Sequence, residues 1–412
     1  MKKVLAILTA VALVLCCFAS CGSTASNDPN TPAADGEATP ITVDGNVIKV
    51  GVFEPATGEN GAGGMQEVLG IRYANSINPK VTIGGTEYTI ELVEVDNQSD
   101  KAAAVTAASS LVSSKVAAVL GSYGSGVSIA AGATFQENKI PAIGCSCTNP
   151  QVTLDNPYYF RVCFLDPFQG TVMANYAASQ GAKTAAVINQ NGDDYSTGLA
   201  NYFKAAFQQI GTIAYEGTYN TNETDFNAIL ASVKSANPDV IFVPSSIQTA
   251  GLFIKQAREM GITSKIMAGD TWENQTIIDN AGAENCEGVT FSTFFDENDA
   301  AAAEFVAGYK AFLNGSADNL KLNGGNDTVA AVSALGYDAY MTLYTALGNL
   351  SELTEEALQA ALAAVSYEGV TGSITFNEEG DANKDMAYIK TMTAGAFKFV
   401  GTQKTDGTFT AA

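Results

Sequence analysis

Short apolar runs alternate along the chain with longer segments in which apolar residues recur every three or four positions. The short runs have the length of buried strands, and the longer segments have the spacing of helices. In the first part of the chain, strands are predicted at residues 48–53, 90–95, 116–120 and 140–143, and helices at residues 65–78, 101–114 and directly after Ser125. This order of strands and helices predicts a parallel sheet with right-handed crossovers.

The same rhythm begins again after residue 166. Helices are predicted at residues 170–180, 196–210, 226–236 and 250–260, and strands at residues 184–189, 213–217, 240–244 and 265–268. The chain from residue 47 onward is longer than one hydrophobic core usually serves, so we expect two lobes. The predicted fold class is therefore α/β, with two doubly wound, Rossmann-like parallel-sheet lobes.

The N-terminus has the pattern of an export signal. Two lysines precede an apolar run and small residues follow it, so residues 1–20 are predicted to be a signal peptide. The tetrapeptide FASC resembles a bacterial lipobox, which implies lipidation of Cys21; a soluble secreted protein with an incidental cysteine is the alternative. Residues 21–46 are rich in small and polar residues and predict a flexible tether. We therefore expect a protein outside the cytoplasm, anchored to the bacterial membrane by lipid.

Composition narrows the possible functions. The 412 residues include 43 acidic and 21 basic side chains, a net charge of −22, which argues against nucleic acid as a partner. The chain has no histidine, so it lacks the usual general base of hydrolase triads and the commonest metal ligand. No spacing of cysteines and acidic residues indicates a metal site. We expect no cofactor, no metal and no catalytic residue.

Four cysteines lie in the predicted body: Cys145, Cys147, Cys163 and Cys286. The sequence favours small buried hydrophobes at these positions, and a disulfide from Cys145 or Cys147 to Cys163 is the alternative in an exported protein.

Two strand ends carry residues suited to a small anionic ligand. In VLGSYGSGVSIAAG (residues 119–132) and IGCSCTNP (residues 143–150), an apolar strand stops at glycines and hydroxyl residues, and the first stretch continues into a helix. The N–H groups at a helix start attract anions, and the hydroxyls of Ser125, Ser146 and Thr148 can add hydrogen bonds. A carboxylate would fit such a pocket. The alternative is that these are ordinary capping and turn residues.

The chain as a whole resembles the type I periplasmic binding proteins of the branched-chain amino acid group, which feed ABC importers. The resemblance begins near residue 47 and is carried, in order, by IKVGVFEPATG, IELVEVDNQSD, AAVLGSYGSGVS, IPAIGCSCTNP, YYFRVCFLDPFQG, AAVINQNGDDYSTGLA, FNAILASVKSANPDVIFVP, IKQAREMGI, IMAGDTWEN, GYDAY and GVTGSITFNEEGD. It implies two lobes joined by three crossings, which we place near residues 165–168, 291–296 and 371–376. Lobe 1 would comprise residues 47–165 and 296–371, and lobe 2 residues 166–295 and 372–412.

The resemblance also implies roles for individual residues. Ser125 and Thr148, with the backbone of Ser146 and the adjoining Cys147, are similar to the group that holds the α-carboxylate of an amino acid. Asp270 resembles the acidic partner of the α-ammonium, and Tyr195 resembles the aromatic residue that closes over the ligand. Asp270 could instead cap a helix, and Tyr195 could pack between loops.

Two positions depart from the family pattern. Gly63 replaces a tyrosine of the first glycine-rich loop, and Ser246 replaces an aromatic residue after the strand VIFVP. Both changes would enlarge or polarise the pocket for the ligand side chain, so an aromatic or polar amino acid, or a related amide, is an alternative to leucine, isoleucine or valine. Trp272 could refill that space or stack on a ligand; the alternative is packing at the lobe edge.

The sequence therefore predicts a solute-binding lipoprotein, not an enzyme. It would capture a small ligand, an amino acid of the branched-chain or a related type, between two closing lobes and deliver it to the permease and ATPase of an ABC importer. We expect a monomer. The alternative is a ligand-sensing protein for another small molecule, an amide or an organic acid, that feeds a receptor.

Overall fold

The structure, a computed structural model, describes residues 38–412. The predicted signal peptide, Cys21 and most of the predicted tether lie outside the described residues. The strands are β1 (Val47–Glu54), β2 (Lys80–Ile83), β3 (Thr86–Asp96), β4 (Ala118–Leu120), β5 (Ala142–Gly144), β6 (Tyr159–Arg161), β7 (Thr184–Asn191), β8 (Thr212–Asn220), β9 (Val240–Phe242), β10 (Lys265–Ala268), β11 (Thr290–Thr293), β12 (Ser366–Gly369), β13 (Gly372–Thr375), β14 (Ala387–Thr393), β15 (Ala396–Gln403) and β16 (Phe409–Ala411). The α-helices are α1 (Gly61–Ile77), α2 (Lys101–Ser113), α3 (Ser125–Glu137), α4 (Asp166–Ser179), α5 (Asp194–Phe207), α6 (Asn227–Ala236), α7 (Ile247–Glu259), α8 (Gln275–Ala281), α9 (Ala303–Asn314), α10 (Ala317–Leu322), α11 (Ala331–Gly348) and α12 (Glu355–Ala363).

The first lobe is built on a six-stranded sheet in the order β2-β3-β1-β4-β5-β6. From β3 to β6 the strands are parallel, because each is reached through a helical or long crossover connection. The edge strand β2 is antiparallel to β3. The turn between them uses Gly84 and Gly85, both of which have positive φ. The sequence analysis did not predict this hairpin.

The second lobe is built on an eight-stranded sheet in the order β16-β15-β14-β11-β10-β9-β7-β8. Strands β7 to β11 are parallel, as the alternation of strands and helices predicted. The last three strands are antiparallel and extend the sheet from β11. The fold class is therefore confirmed, with an antiparallel extension of the second sheet that the helix-strand rhythm did not indicate.

Helices α9 and α11 pack against α1 of the first lobe, although their sequence follows that of β11 in the second. An aromatic cluster marks this packing: Tyr73 of α1 lies 5.6 Å from Tyr309 of α9 and 5.8 Å from Tyr337 of α11, ring centre to ring centre. Close approach of α1 and α11 requires glycine on both sides, since a Cβ at Gly70 or Gly336 would collide with the backbone of the other helix.

The ends of the parallel strands in the two sheets place the candidate residues between the lobes, as expected for open α/β sheets. No helix within residues 38–412 combines the length and the apolar character needed to cross a membrane.

Candidate functional site

Two loops of the first lobe meet beside the cleft. Helix α3 begins at Ser125, whose hydroxyl accepts a hydrogen bond from the backbone N–H of Asn149 at 3.2 Å. The hydroxyl of Thr148 is buried and has no partner at hydrogen-bond geometry within residues 38–412, although the buried carboxyl of Asp166, also without a partner, lies beside it. Because an unpaired buried hydroxyl is costly, a ligand oxygen at this position would be stabilised both by the hydroxyl and by the start of a 13-residue helix.

Ser146 and Cys147 direct their side chains away from a ligand. The Ser146 hydroxyl donates a hydrogen bond to Oε1 of Glu67 in α1. The Cys147 side chain lies in the core cluster that contains Phe135 and Tyr159, and its carbonyl oxygen accepts a hydrogen bond from the Arg161 guanidinium at 2.8 Å. These two residues can therefore offer a ligand their backbone N–H groups.

All four cysteines of the described body are free and buried. They belong to the packed interior, as the sequence favoured.

Asp270 is the buried acidic residue of the second lobe that the family resemblance assigned to the site. It follows β10, is almost fully buried, and its Oδ1 accepts hydrogen bonds from Gln169 Nε2 at 2.8 Å and from the Tyr195 hydroxyl at 3.0 Å. Burial raises the pKa of Asp270 to about 6, although both hydrogen bonds act in the opposite direction. The other amide atom of Gln169, Oε1, is buried with no donor in the described residues. Two acceptors thus lie together where a cationic donor would satisfy both.

Tyr123 was not singled out by the sequence analysis, yet its hydroxyl spans the cleft. It follows β4 and donates to the backbone carbonyl of Thr271 in the second lobe at 3.3 Å. Its ring lies directly against Gly63, where a Cβ atom would collide with it. The space that glycine opens at residue 63 is therefore filled by Tyr123, and the expected enlargement of the pocket at this point does not occur.

Trp272 and Ser246 lie in the second lobe near the same loop. Trp272 is fully buried and its indole N–H donates to the Ser245 hydroxyl at 3.2 Å, while the Ser246 hydroxyl contacts the Thr249 hydroxyl at 2.9 Å. Ser246 precedes α7. Both side chains are thus engaged within their own lobe, and Trp272 presents packing surface rather than a free polar group.

The two lobes are closed upon each other in the structure. We use the term closing contacts for the hydrogen bonds and ion pairs that join them away from the ligand site. Glu59 accepts hydrogen bonds from Gln190 Nε2 at 2.8 Å and from the backbone N–H of Asn222 at 3.1 Å. Lys101 forms an ion pair with Asp194 at 2.7 Å. The other closing contacts join Asn60 to Ile247, Gln66 to Asn274, and Asn149 to Asp194.

A cavity of about 230 Å³ lies between the lobes beside the closing contacts. Its lining includes Glu59, Asn60, Lys101, Gln190 and Asp193, and it reaches Gly124 and Gly126 on either side of Ser125. The cavity is a polar passage that adjoins the start of α3 in the first lobe.

Two further titratable groups near Asp270, Glu273 and Tyr123, are also buried. Glu273, three residues after Asp270, is buried and forms an ion pair with Lys390 of β14 at 2.5 Å. Burial raises the pKa of Glu273, and the charge of Lys390 opposes the shift. Burial also raises the pKa of the Tyr123 hydroxyl, and the nearby carboxylates of Asp270 and Glu67 reinforce the shift.

Three residues of the site were missed at the sequence level: Tyr123, Gln169 and Glu67. Tyr123 carried a usable signal, because it lies in AAVLGSYGSGVS just beyond a strand end. Gln169 and Glu67 lie inside helices, where nothing in the local pattern separates a buried polar residue from an exposed one.

Known proteins share the fold and the sequence pattern of this chain. Residues 47–396 match the family model described as periplasmic binding protein. A Leu/Ile/Val-binding protein homolog of Brucella abortus is 28% identical over 341 residues, which cover 81% of this chain and 87% of that protein.

Solved structures extend the comparison. The leucine-binding protein LivK of Thermotoga maritima superposes with a TM-score of 0.80 at 32% identity, over 88% of this chain and 100% of that one. The branched-chain amino acid transporter substrate-binding protein LivJ of Streptococcus pneumoniae, in complex with isoleucine, gives a TM-score of 0.76 at 30% identity, over 86% and 99% of the two chains.

The family model spans most of the chain, and the fold superposes on these two structures over nearly their whole length. The chain belongs to the periplasmic binding protein family, as an extracytoplasmic substrate-binding protein of the ABC transporter type rather than an enzyme.

Proposed function

We propose that the protein captures a free amino acid, of the branched-chain or a related type, between its two lobes. The observation that carries this proposal is the presence of buried polar groups of complementary kind on the two sides. The first lobe offers the Thr148 hydroxyl and the start of α3, and the second lobe offers Asp270 and Gln169 Oε1. An α-carboxylate suits the first group and an α-ammonium suits the second.

The proposed site residues keep the roles that the family resemblance implies. Ser125 and Thr148, with the backbone N–H groups of Ser146 and Cys147, bind the carboxylate, and Asp270 pairs with the ammonium. Tyr195 closes over the ligand, and its hydroxyl also donates a hydrogen bond to Asp270. Tyr123 and Trp272 bound the space for the ligand side chain, with Ser246 at the start of α7. Large apolar walls of this kind favour an uncharged side chain.

The wider arrangement follows from the family. We propose that Cys21 carries lipid, that the segment up to residue 46 tethers the body to the membrane, and that the protein acts as a monomer. The closed form, held by ligand and closing contacts together, would be the form that the permease and ATPase of an ABC importer recognise.

Thermal unfolding of the chain from residue 22 onward, with a panel of the twenty amino acids, small amides and short organic acids, tests this proposal. A ligand present far above its dissociation constant stabilises the folded state by a few kcal/mol, which raises the melting temperature by several degrees. We expect a shift with an aliphatic amino acid and its loss in Thr148→Val. A shift with an organic acid alone would favour the alternative ligand class.

A further inference from the structure

A pair of buried carboxyl groups lies beneath the candidate site, and neither group has so far been given a role in ligand binding. Glu54 ends β1 and Glu67 lies in α1, and both side chains are almost completely buried. One carboxyl oxygen of each lies within 4.8 Å of the other. Two buried negative charges this close repel each other, and a single proton held between the two groups removes that repulsion.

One oxygen of each carboxyl group accepts a hydrogen bond from the first lobe. Glu54 Oε2 accepts the backbone N–H of Tyr123 at 2.7 Å, and Glu67 Oε1 accepts the Ser146 hydroxyl. The second oxygen of each residue, Glu54 Oε1 and Glu67 Oε2, is buried with no other donor within residues 38–412. Gly121 packs so closely on Glu54 Oε1 that a Cβ atom there would lie only 2.5 Å away.

No cation is among the groups that most affect the pair within residues 38–412. Besides burial and each other, these groups are the Tyr123 N–H, the Ser146 hydroxyl, the thiols of Cys145 and Cys147, and Asp270 of the second lobe. Burial raises the pKa of Glu67 to about 7 and raises that of Glu54 well above its ordinary value. Arg161, the basic residue beside Cys147, is occupied by Asp381 at 2.5 Å.

We propose that Glu54 and Glu67 share one proton and act as a positioning pair for ligand binding. Glu67 accepts a hydrogen bond from Ser146, whose backbone is part of the proposed binding site for the ligand carboxylate. Glu54 accepts a hydrogen bond from the N–H of Tyr123, whose hydroxyl donates across the cleft to the carbonyl of Thr271. When the proton leaves, two adjacent negative charges in an apolar setting repel each other, and both Ser146 and Tyr123 lose their fixed positions. Ligand affinity is therefore coupled to the protonation of a pair that never touches the ligand.

The glutamine variants separate this role from simple packing. In Glu54→Gln the amide keeps an oxygen for the Tyr123 N–H and supplies a permanent N–H donor to Glu67. A hydrogen bond between residues 54 and 67 then requires no protonated carboxyl group. Glu67→Gln does the same from the other side and serves as the second variant if the first folds poorly.

The experiment is calorimetric titration of the wild type and both variants with the amino acid found by thermal unfolding, from about pH 7 to roughly pH 9, a range in which buried glutamates can ionise and which lies above the pKa of Asp270, raised by burial to about 6. This readout rests on the proposed function. We expect wild-type affinity to fall about tenfold across that range, one pKa unit of linkage, and the variants to change less than about twofold. Equal pH profiles in all three proteins would overturn the proposal.

A ligand-free measurement distinguishes failure of this proposal from failure of the proposed function. Infrared difference spectra of the apo protein should show the carbonyl band of a protonated carboxyl group at pH 7, lost in Glu54→Gln. A wild type without this band overturns the shared proton. Cys145 adds a third donor atom within 4.8 Å of the two carboxylates, so a divalent cation is the rival occupant. About one tightly held metal ion per chain, with a lower melting temperature after chelation, would also overturn the proposal.

Discussion

The ring of Tyr123 lies flush against Gly63, although these residues belong to different elements of the first lobe. Tyr123 follows β4, whereas Gly63 lies in the first turn of α1. The ring of Tyr123 occupies the space that a side chain at residue 63 would fill. The hydroxyl of Tyr123 then donates a hydrogen bond across the cleft to the carbonyl of Thr271.

Gly63→Ala should displace the Tyr123 ring and weaken ligand binding by at least about tenfold, because the cleft hydrogen bond and the pocket wall move together. Calorimetric titration measures the change. The matched control is Gly348→Ala, a helical glycine of the same lobe whose added Cβ would meet only Val81 at 4.0 Å. Unchanged affinity in Gly63→Ala would show that Tyr123 does not form the pocket.

Asp270→Asn should lower amino acid affinity by an order of magnitude or more, since it leaves a desolvated ammonium without its counter-charge. Asp279→Asn, an exposed acidic residue in α8 of the same lobe, is the control and should bind normally. Wild-type affinity in Asp270→Asn would remove Asp270 from the site.

The same residue predicts a loss of affinity in acid. A ligand ammonium needs the ionised carboxylate, and burial raises the pKa of Asp270 to about 6. Below that pH a proton must first leave, so wild-type affinity should fall by up to about tenfold per pH unit. In Asp270→Asn the remaining weak binding should not vary between pH 5 and pH 7, values chosen as roughly one unit on either side. A flat wild-type profile would contradict the assignment.

Removal of Glu59 should shift the lobes toward an open form. Its carboxylate is bonded to two segments of the second lobe, Gln190 and Asn222, and each bond contributes on the order of 1 kcal/mol. Small-angle scattering of ligand-free Glu59→Ala should show a larger radius of gyration than the wild type. Lys204→Ala, which breaks the exposed pair with Glu216 at 3.0 Å within one lobe, should leave it unchanged.

Lys390→Met should destabilise the fold strongly. It leaves Glu273 and Asp296 buried without the cation that both contact, at 2.5 and 3.4 Å, and breaking a buried pair in this way costs roughly 3–5 kcal/mol. Urea unfolding measures the loss. Lys404→Met, which breaks an exposed pair with Asp385, should cost much less, because solvent already screens this pair. Similar losses in the two variants would argue against a special role for the buried pair.

The predictable part of the molecule is the part governed by periodicity and family pattern. Parallel strands and helices follow from the alternation of apolar runs, and Ser125, Thr148, Tyr195 and Asp270 lie at strand or helix ends where the motifs place them. The antiparallel strands β14 to β16 lack intervening helices and therefore lack the signal that revealed the rest.

Contacts that depend on tertiary packing were beyond the sequence. A glycine at residue 63 indicates an empty space until the path of Tyr123 is known. The Glu54–Glu67 pair joins a strand end to the middle of a helix, and two acidic residues 13 positions apart carry no local sign that they share a proton. The sequence likewise allowed Trp272 either to line the ligand pocket or to pack at the lobe edge. Its indole hydrogen bond to Ser245 depends on how the second lobe folds.

The most direct test of the central claim, that opposite lobes bind the two charges of one amino acid, is a calorimetric comparison of leucine with its two half-molecules. Isopentylamine keeps the ammonium and the apolar chain, and 4-methylpentanoate keeps the carboxylate and the chain. Each analogue leaves one desolvated group of the site unpaired, so we predict that both bind at least about a hundredfold more weakly than leucine. Equal binding of leucine and either analogue would contradict the account.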